Sequence, residues 1–320
     1  MDCEPTLTPA AVPTMCFVGV TTGQSSILRV FPRWAEALGL EARLVGVDLP
    51  VHAPAEAYRR VVGFIKDDPL TRGALVTTHK IDCFAAAHDL FDVIDPPADL
   101  LGELSCLSKR GGRLAASAKD PQSSRLAMDA FLPAGHFVRT GAEAFVMGAG
   151  GSAIAITSQL MEGARGDDRP ARIVVSDRDP DRLAAIARIH GALGADLPVA
   201  YERVSGSGDN DRLMAGLKPG SLVINATGLG KDGPGSPLTD TAVFPEGGFV
   251  WELNYRGELL FLRQAMAAAG VRGLIVEDGW TYFLHGWTRA IAEVFAIAIA
   301  TSGPDFDRLS DLAGGRTARS

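Results

Sequence analysis

The chain has 320 residues, 47% of them hydrophobic and 22% charged, which is enough to bury the cores of two domains and too apolar for a disordered protein. Its formal net charge of −7 argues against nonspecific binding to nucleic-acid phosphates. Cys3, Cys16, Cys83 and Cys106 form no Cys-x-x-Cys pair and no secretory apolar segment follows Met1, so a cytoplasmic chain with reduced thiols is expected, its sequon Asn225-Ala226-Thr227 unmodified.

Taken in order, residues 15–20 read as a strand and residues 27–38 as a helix carrying Phe31, Trp34 and Leu38. A second strand is expected at 41–47, a second helix at 54–64 and a third strand at 73–77. Strands alternating with helices imply a mainly parallel sheet. The pattern then changes: residues 104–107 and 114–118 flank Lys109-Arg110-Gly111-Gly112-Arg113, a hairpin signal. A helix from Ser123 leads into a second α/β region, placing a boundary near residue 120. Residues up to Pro13 and beyond about Gly303 lack periodicity and read as frayed tails.

The stretch Ala144-Phe145-Val146-Met147-Gly148-Ala149-Gly150-Gly151-Ser152-Ala153 is an apolar run that breaks into glycines before a helical pattern resumes. Strand, Gly turn and helix are the arrangement in which backbone N–H groups meet a pyrophosphate. Gly148 permits the turn, Gly150 leaves room for phosphates, and Ala153 lets the helix lie close to the strand. A second strand at 171–175 ends in Ser176-Asp177, placing Asp177 twenty-nine residues after Gly148. Its carboxylate can accept ribose hydroxyls and favours NAD, whereas the neighbouring Arg178 can pair with a 2′-phosphate and favours NADP. NAD or NADP is therefore the expected cofactor, with NAD preferred.

Further strands are expected at 222–226, 249–253 and 273–276, with a helix at 258–268. The long apolar stretch 280–301 is interrupted by His285, Arg289 and Glu293, and its apolar residues recur at helical spacing, so it reads as a core-packed helix rather than a membrane span. It is expected to return to the first domain. The fold class is thus α/β with two domains: an N-terminal, mainly parallel substrate domain (1–120, completed by 280–320) and a Rossmann dinucleotide-binding domain (121–279).

In order, the chain has a Ser-bearing loop after the first strand (Thr21-Thr22-Gly23-Gln24-Ser25-Ser26), a lysine closing the third strand (Val76-Thr77-Thr78-His79-Lys80) and an aspartate after the hairpin (Ala118-Lys119-Asp120). The Gly148 turn, Asn225-Ala226-Thr227, Tyr255 and Asp278-Gly279 follow. This series resembles the shikimate/quinate dehydrogenase family. The resemblance implies a soluble oxidoreductase of aromatic amino acid biosynthesis type, with Lys80 and Asp120 as its catalytic pair. An amine at hydrogen-bond distance can shuttle the alcohol proton while hydride leaves the carbon, and a carboxylate beside it stabilises its protonated form. It also implies substrate contacts from Ser25, Ser105, Tyr255 and His285, and cofactor contacts from Gly148, Ala149, Gly150, Gly151, Ser152, Ala153, Asp177, Arg178, Thr227 and Gly228. Without the resemblance, Lys80 also fits a solvated lysine and Asp120 an Asp-Pro turn.

The chain departs from the family pattern at several polar positions. Ile27 stands at its second serine, Ala74-Leu75-Val76 where it has Asn-Val-Thr, Ser105-Cys106 for Asn-Thr, Ala118-Lys119-Asp120 for Asn-Thr-Asp, and Gly286 or His285 near its helix glutamine. Each hydroxyl left unpaired costs about 1–3 kcal/mol, so a hydroxylated, cyclic carboxylic acid other than shikimate is expected as the substrate. Lys119 could pair with a carboxylate or phosphate, and His79, Tyr282 and Trp287 could line a flatter pocket. The alternatives are a true shikimate or quinate dehydrogenase with an unusual pocket, and a non-catalytic dinucleotide-sensing protein. No metal motif and no nucleophile elbow occur. Nucleic acid and membrane partners are not expected, and a homodimer is left open.

Overall fold

The computed structural model describes residues 7–162, 166–231 and 233–314; Cys3 lies outside them. The chain divides into two compact units, Met1–Lys119 with Gly286–Ser320, and Asp120–His285.

In the first unit, β1 (Thr14–Gly19), α1 (Ile27–Ala37), β2 (Arg43–Asp48), α2 (Ala55–Asp67) and β3 (Thr71–Val76) alternate, followed by α3 (Lys80–Ala87), β4 (Val93–Ile94), α4 (Pro96–Leu101), β5 (Cys106–Arg110) and β6 (Arg113–Ser117). The sheet order is β2-β1-β3-β5-β6-β4. β1 pairs in parallel with β2 and β3, while β3, β5 and β6 run antiparallel. The hairpin expected around Gly111-Gly112 is β5–β6, with both glycines at positive φ. β1 is buried along its whole length. On α1, Ile27, Val30, Phe31 and Trp34 recur at i, i+3, i+4 and i+7 and are buried against the sheet.

The second unit contains α5 (Asp120–Asp129), α6 (His136–Thr140), β7 (Ala144–Met147), α7 (Gly151–Met161), β8 (Ile173–Asp177), α8 (Pro180–Leu193), β9 (Val199–Arg203), α9 (Ser207–Ala215), β10 (Leu222–Asn225), β11 (Phe249–Glu252), α10 (Leu260–Arg272) and β12 (Ile275–Glu277). All five strand pairs are parallel, in the order β12-β11-β10-β7-β8-β9. Chain order reverses between β7 and β10, where an open α/β sheet leaves a crevice beyond its strand ends. The core packs Phe145, Val174, Val223, Val250 and Phe261, all buried.

The last helices, α11 (Trp280–Phe295) and α12 (Pro304–Leu312), differ from expectation. α11 stops at Phe295, because Ala296 takes a left-handed conformation (φ +54°). The unit boundary falls within α11, at Gly286. The expected frayed tail beyond Gly303 is instead α12: Pro304 sits in its first turn, where a missing N–H costs nothing, with Asp305 and Asp307 beside it. Phe306 and Leu309 are buried, and the Trp34 indole Nε1 donates to the Leu309 carbonyl at 2.7 Å. Two apolar residues three apart are too short a pattern to separate such a helix from a polar tail. At the other end, residues 7–12 are not loose either, since Ala10 N donates to Asp68 at 3.3 Å.

Two helix starts also move. Lys80 does not close β3, which ends at Val76, but is the first residue of α3; the helix expected from Ser123 begins at Asp120. The turn between β3 and α3 is tight, with His79 N donating to Thr77 O at 2.5 Å and Thr78 at φ +60°.

Candidate active site

In the second unit, β7 ends at Met147 and the chain turns through Gly148 at φ +102°, a conformation that suits only glycine. A Cβ on Gly148 would lie 2.6 Å from the Ala226 carbonyl oxygen, so the Gly turn presses against the segment leaving β10. Gly150 is extended (φ −82°, ψ −174°), caps α7 without a side-chain hydrogen bond, and has open space where a Cβ would project. The first N–H groups of α7 therefore have no side-chain cap at its N-terminus, the partially positive end. Ala153 is fully buried beneath them.

Asp177, at the end of β8, accepts from Ala149 N at 2.7 Å and from Asp179 N at 2.9 Å. Oδ2 thus braces the Gly turn and Oδ1 closes a local turn into α8, engagements that leave further lone pairs of the carboxylate facing the pocket region it lines. A pocket in this unit is lined by Gly148, Gly150, Ser176, Asp177, Arg178, Arg182, Val204, Gly206, Ser207, Asn210, Ala226, Thr227, Leu229 and Pro237. Of the expected cofactor residues, Gly148, Gly150, Asp177, Arg178 and Thr227 line it, while Ala149, Gly151, Ser152, Ala153 and Gly228 do not. Arg182 was missed; it lies in the first turn of α8, and because Arg178 precedes the Asp179 N-cap no helical spacing links the two. Asn210 was missed because its role is tertiary: it accepts from the Ser176 hydroxyl at 2.7 Å and donates to the Pro237 carbonyl at 3.0 Å.

Beneath the pocket's 227–230 wall lies a polar network. The fully buried Glu252, last residue of β11, accepts from Asn225 Nδ2 at 2.8 Å and from Asn254 N at 2.9 Å. Asn225 Oδ1 in turn accepts from Thr227 N at 3.1 Å and from its hydroxyl at 2.7 Å, and that hydroxyl accepts from Leu229 N at 3.1 Å. Asn254 Nδ2 donates to the Leu229 carbonyl at 3.1 Å. Burial pushes the Glu252 carboxyl up to about 7 and the charge of Asp278 adds to the rise, while the hydrogen bonds oppose it. Tyr255 is half-buried, its ring against Phe283 (4.6 Å between centroids) and Trp280 (6.0 Å). His285 is buried on α11.

In the first unit Lys80 is half-buried, and it follows a buried His79. The Tyr58 hydroxyl lies 3.1 Å from His79 Nδ1 and donates to Asp82 at 3.4 Å, and Asp82 also meets the exposed His52 at 3.0 Å. Ser25 is half-buried in a loop held to β2 by Asp48, which accepts from Thr22 N (2.8 Å) and Thr22 Oγ1 (2.6 Å). Ser105 is buried and its hydroxyl accepts from Lys119 N at 2.7 Å. The Lys119 ammonium meets Glu293 at 3.4 Å, so its charge already has a carboxylate partner. Trp287 packs edge-on against Phe17, with ring centroids 5.0 Å apart, and is core. Asp120, half-buried, opens α5 in the second unit. Cys16, Cys83 and Cys106 are buried and burial pushes each thiol up to about 12, far from a nucleophile's range. Among the described residues no His, Cys, Asp and Glu cluster could hold a metal, and no helix is long and apolar enough to cross a membrane.

The sheet order, the Gly turn and the pocket at the reversal define an α/β protein whose second unit has the Rossmann fold of dinucleotide-binding proteins. No protein-family model matches the chain. It is 30% identical over 280 residues (85% of this chain, 87% of the relative) to the shikimate dehydrogenase (NADP(+)) of Afipia carboxidovorans, and 29% identical over 277 residues (86% and 88%) to that of Methylobacterium radiotolerans. The quinate dehydrogenase of Corynebacterium glutamicum in complex with NAD superposes with a TM-score of 0.73 at 19% identity (94% of this chain, 98% of that one). The shikimate 5-dehydrogenase of Thermus thermophilus in complex with NADP(H) and shikimate does so at 0.69 and 24% identity (94% and 98%). The chain belongs to the shikimate/quinate dehydrogenase family.

Proposed function

We propose that this chain is an NADP-dependent dehydrogenase that transfers hydride between nicotinamide and a secondary alcohol of a hydroxylated, cyclic carboxylic acid other than shikimate. As a family member it is an oxidoreductase of the shikimate/quinate dehydrogenase type that uses a nicotinamide dinucleotide. The observation that carries the cofactor reading is the pocket lined by the Gly turn on one side and by Thr227 and Leu229 on the other, with no side-chain cap on the α7 N-terminus and open space at Gly150. NADP takes the place of the NAD expected from Asp177 because Arg178 and Arg182, two guanidinium groups able to pair with a 2′-phosphate, line the same pocket. Relatives named for NADP(+) support the same choice.

The bound nicotinamide supplies the hydride acceptor or donor. Lys80 takes the alcohol proton in oxidation and returns it in reduction, and Asp120, Ser25 and Tyr255 are the further residues proposed for the reaction and for holding the acid. A substrate other than shikimate is favoured by Ala74, Val76 and Cys106 standing where the family pattern has amide or hydroxyl side chains, and by the pairing of Lys119 with Glu293. A site without the amide and hydroxyl side chains of the family pattern suits a less hydroxylated ring.

The test is a panel of shikimate, quinate and other cyclic hydroxy acids with NADP+ and NAD+, followed by nicotinamide absorbance, on wild type and Lys80→Ala. The proposal expects turnover on an acid other than shikimate, NADP+ preferred, and a fall of about 10²–10⁴-fold in Lys80→Ala. Full turnover in that variant removes the proton role. Preferred use of shikimate overturns the substrate assignment, and dinucleotide binding with no turnover on any acid favours a sensor.

A further inference from the structure

We propose that Glu252 is a positioning residue for the dinucleotide: as a buried carboxylate it fixes the 227–230 wall of the pocket through two amide arms, Asn225 to Thr227 and Asn254 to Leu229. This deepens the dinucleotide reading above and rests on it. Glu252 never reaches the pocket surface, being fully buried, yet each of its oxygens receives an N–H. The first arm turns the Asn225 amide so that its oxygen faces Thr227, which donates from both its backbone and its hydroxyl. In the second, Glu252 anchors the backbone N–H of Asn254, whose side-chain amide donates to the Leu229 carbonyl. Thr227 and Leu229 line the pocket.

The network has one consistent direction of donation, and it needs an acceptor at both Glu252 oxygens. A glutamine there sets an N–H against an N–H at one of the two contacts. If Asn225 flips to relieve the clash, its NH2 group faces the N–H of Thr227. A buried polar network of this kind holds one conformation when every member is satisfied and fails when one is not. Exchanging acid and amide, Asn225→Asp with Glu252→Gln, keeps volume and net charge and satisfies every contact again. The new amide at position 252 donates to the new carboxylate at position 225 and accepts from Asn254 N, while that carboxylate still accepts from Thr227.

The experiment measures binding of NADP+, NAD+ and the fragment 2′,5′-ADP by calorimetry at pH 8, together with hydrogen exchange at the Thr227 and Leu229 amides of the free protein. Glu252→Gln is expected to weaken both dinucleotides about tenfold or more, to leave 2′,5′-ADP within about twofold, and to speed exchange at both amides. The exchanged pair is expected to recover most of the affinity and protection. Where Glu252→Gln does not fold, Asn254→Ala, which cuts only the second arm, is expected to show the same change at Leu229. Unchanged dinucleotide affinity and exchange in these variants overturn the inference, as does equal weakening of 2′,5′-ADP. If the wild type binds neither dinucleotide, the functional reading itself fails, and the exchange data separately report whether Glu252 holds the wall.

Discussion

Replacing Gly148 with alanine puts the Gly turn to its most direct test. The residue sits at φ +102°, where a side chain costs about 1–3 kcal/mol. The new Cβ would lie 2.6 Å from the Ala226 oxygen, roughly 0.8 Å inside ordinary contact. The obstacle is backbone, so no rotamer change relieves it, and overpacking adds about another 1–3 kcal/mol. The expected loss is about 4 kcal/mol, a large share of a typical domain's roughly 5–15 kcal/mol. Gly150→Ala is the matched control: its backbone is extended and its Cβ meets nothing within the protein, so stability should change by less than about 0.5 kcal/mol. Binding should separate the two differently, because a dinucleotide approaching Gly150 would meet the new methyl, raising Kd for NADP+ about tenfold in a folded protein. Urea unfolding and calorimetry on both variants read this out. A Gly148→Ala protein within about 0.5 kcal/mol of wild type refutes the steric argument, and a Gly150→Ala protein that binds NADP+ normally refutes close approach at that residue.

Three further expectations concern other parts of the chain. Because burial raises the Glu252 carboxyl from 4.5 to about 7, the folded state holds its proton more tightly than the unfolded state. This contribution is complete below pH 4.5 and is lost as pH rises through about 7, a change on the order of 3 kcal/mol. The stability difference between wild type and Glu252→Gln, followed by urea midpoints from about pH 4 to 8, should therefore move against wild type as pH rises; a flat difference contradicts it. Thr78, β-branched at φ +60°, should gain about 1 kcal/mol in urea unfolding on substitution by asparagine, which tolerates that conformation; a loss would show that the turn into α3 carries no such strain. Phe306→Ala should cost about 3 kcal/mol if α12 is part of the core of its unit, whereas an unchanged unfolding curve would return residues beyond Gly303 to a tail.

The sequence by itself determined the features written in short-range backbone rules. The α/β alternation, the β5–β6 hairpin over Gly111-Gly112, and the Gly148 turn with Asp177 at the next strand end all depend on residues within one strand–turn–helix unit, where turn geometry and hydrophobic period act locally. Tertiary structure alone decided which polar groups would meet. Glu252 finds Asn225 across 27 residues, Lys119 meets Glu293 across 174, and Trp34 bonds to α12 across 275. No spacing rule reaches that far. These partners are selected when burial strips water from a polar group and requires a compensating hydrogen bond nearby. For the same reason the sequence could offer Lys119 as a substrate contact, while the folded chain pairs it with Glu293, and could not show that Asp177, at the pocket, also braces Ala149 of the Gly turn.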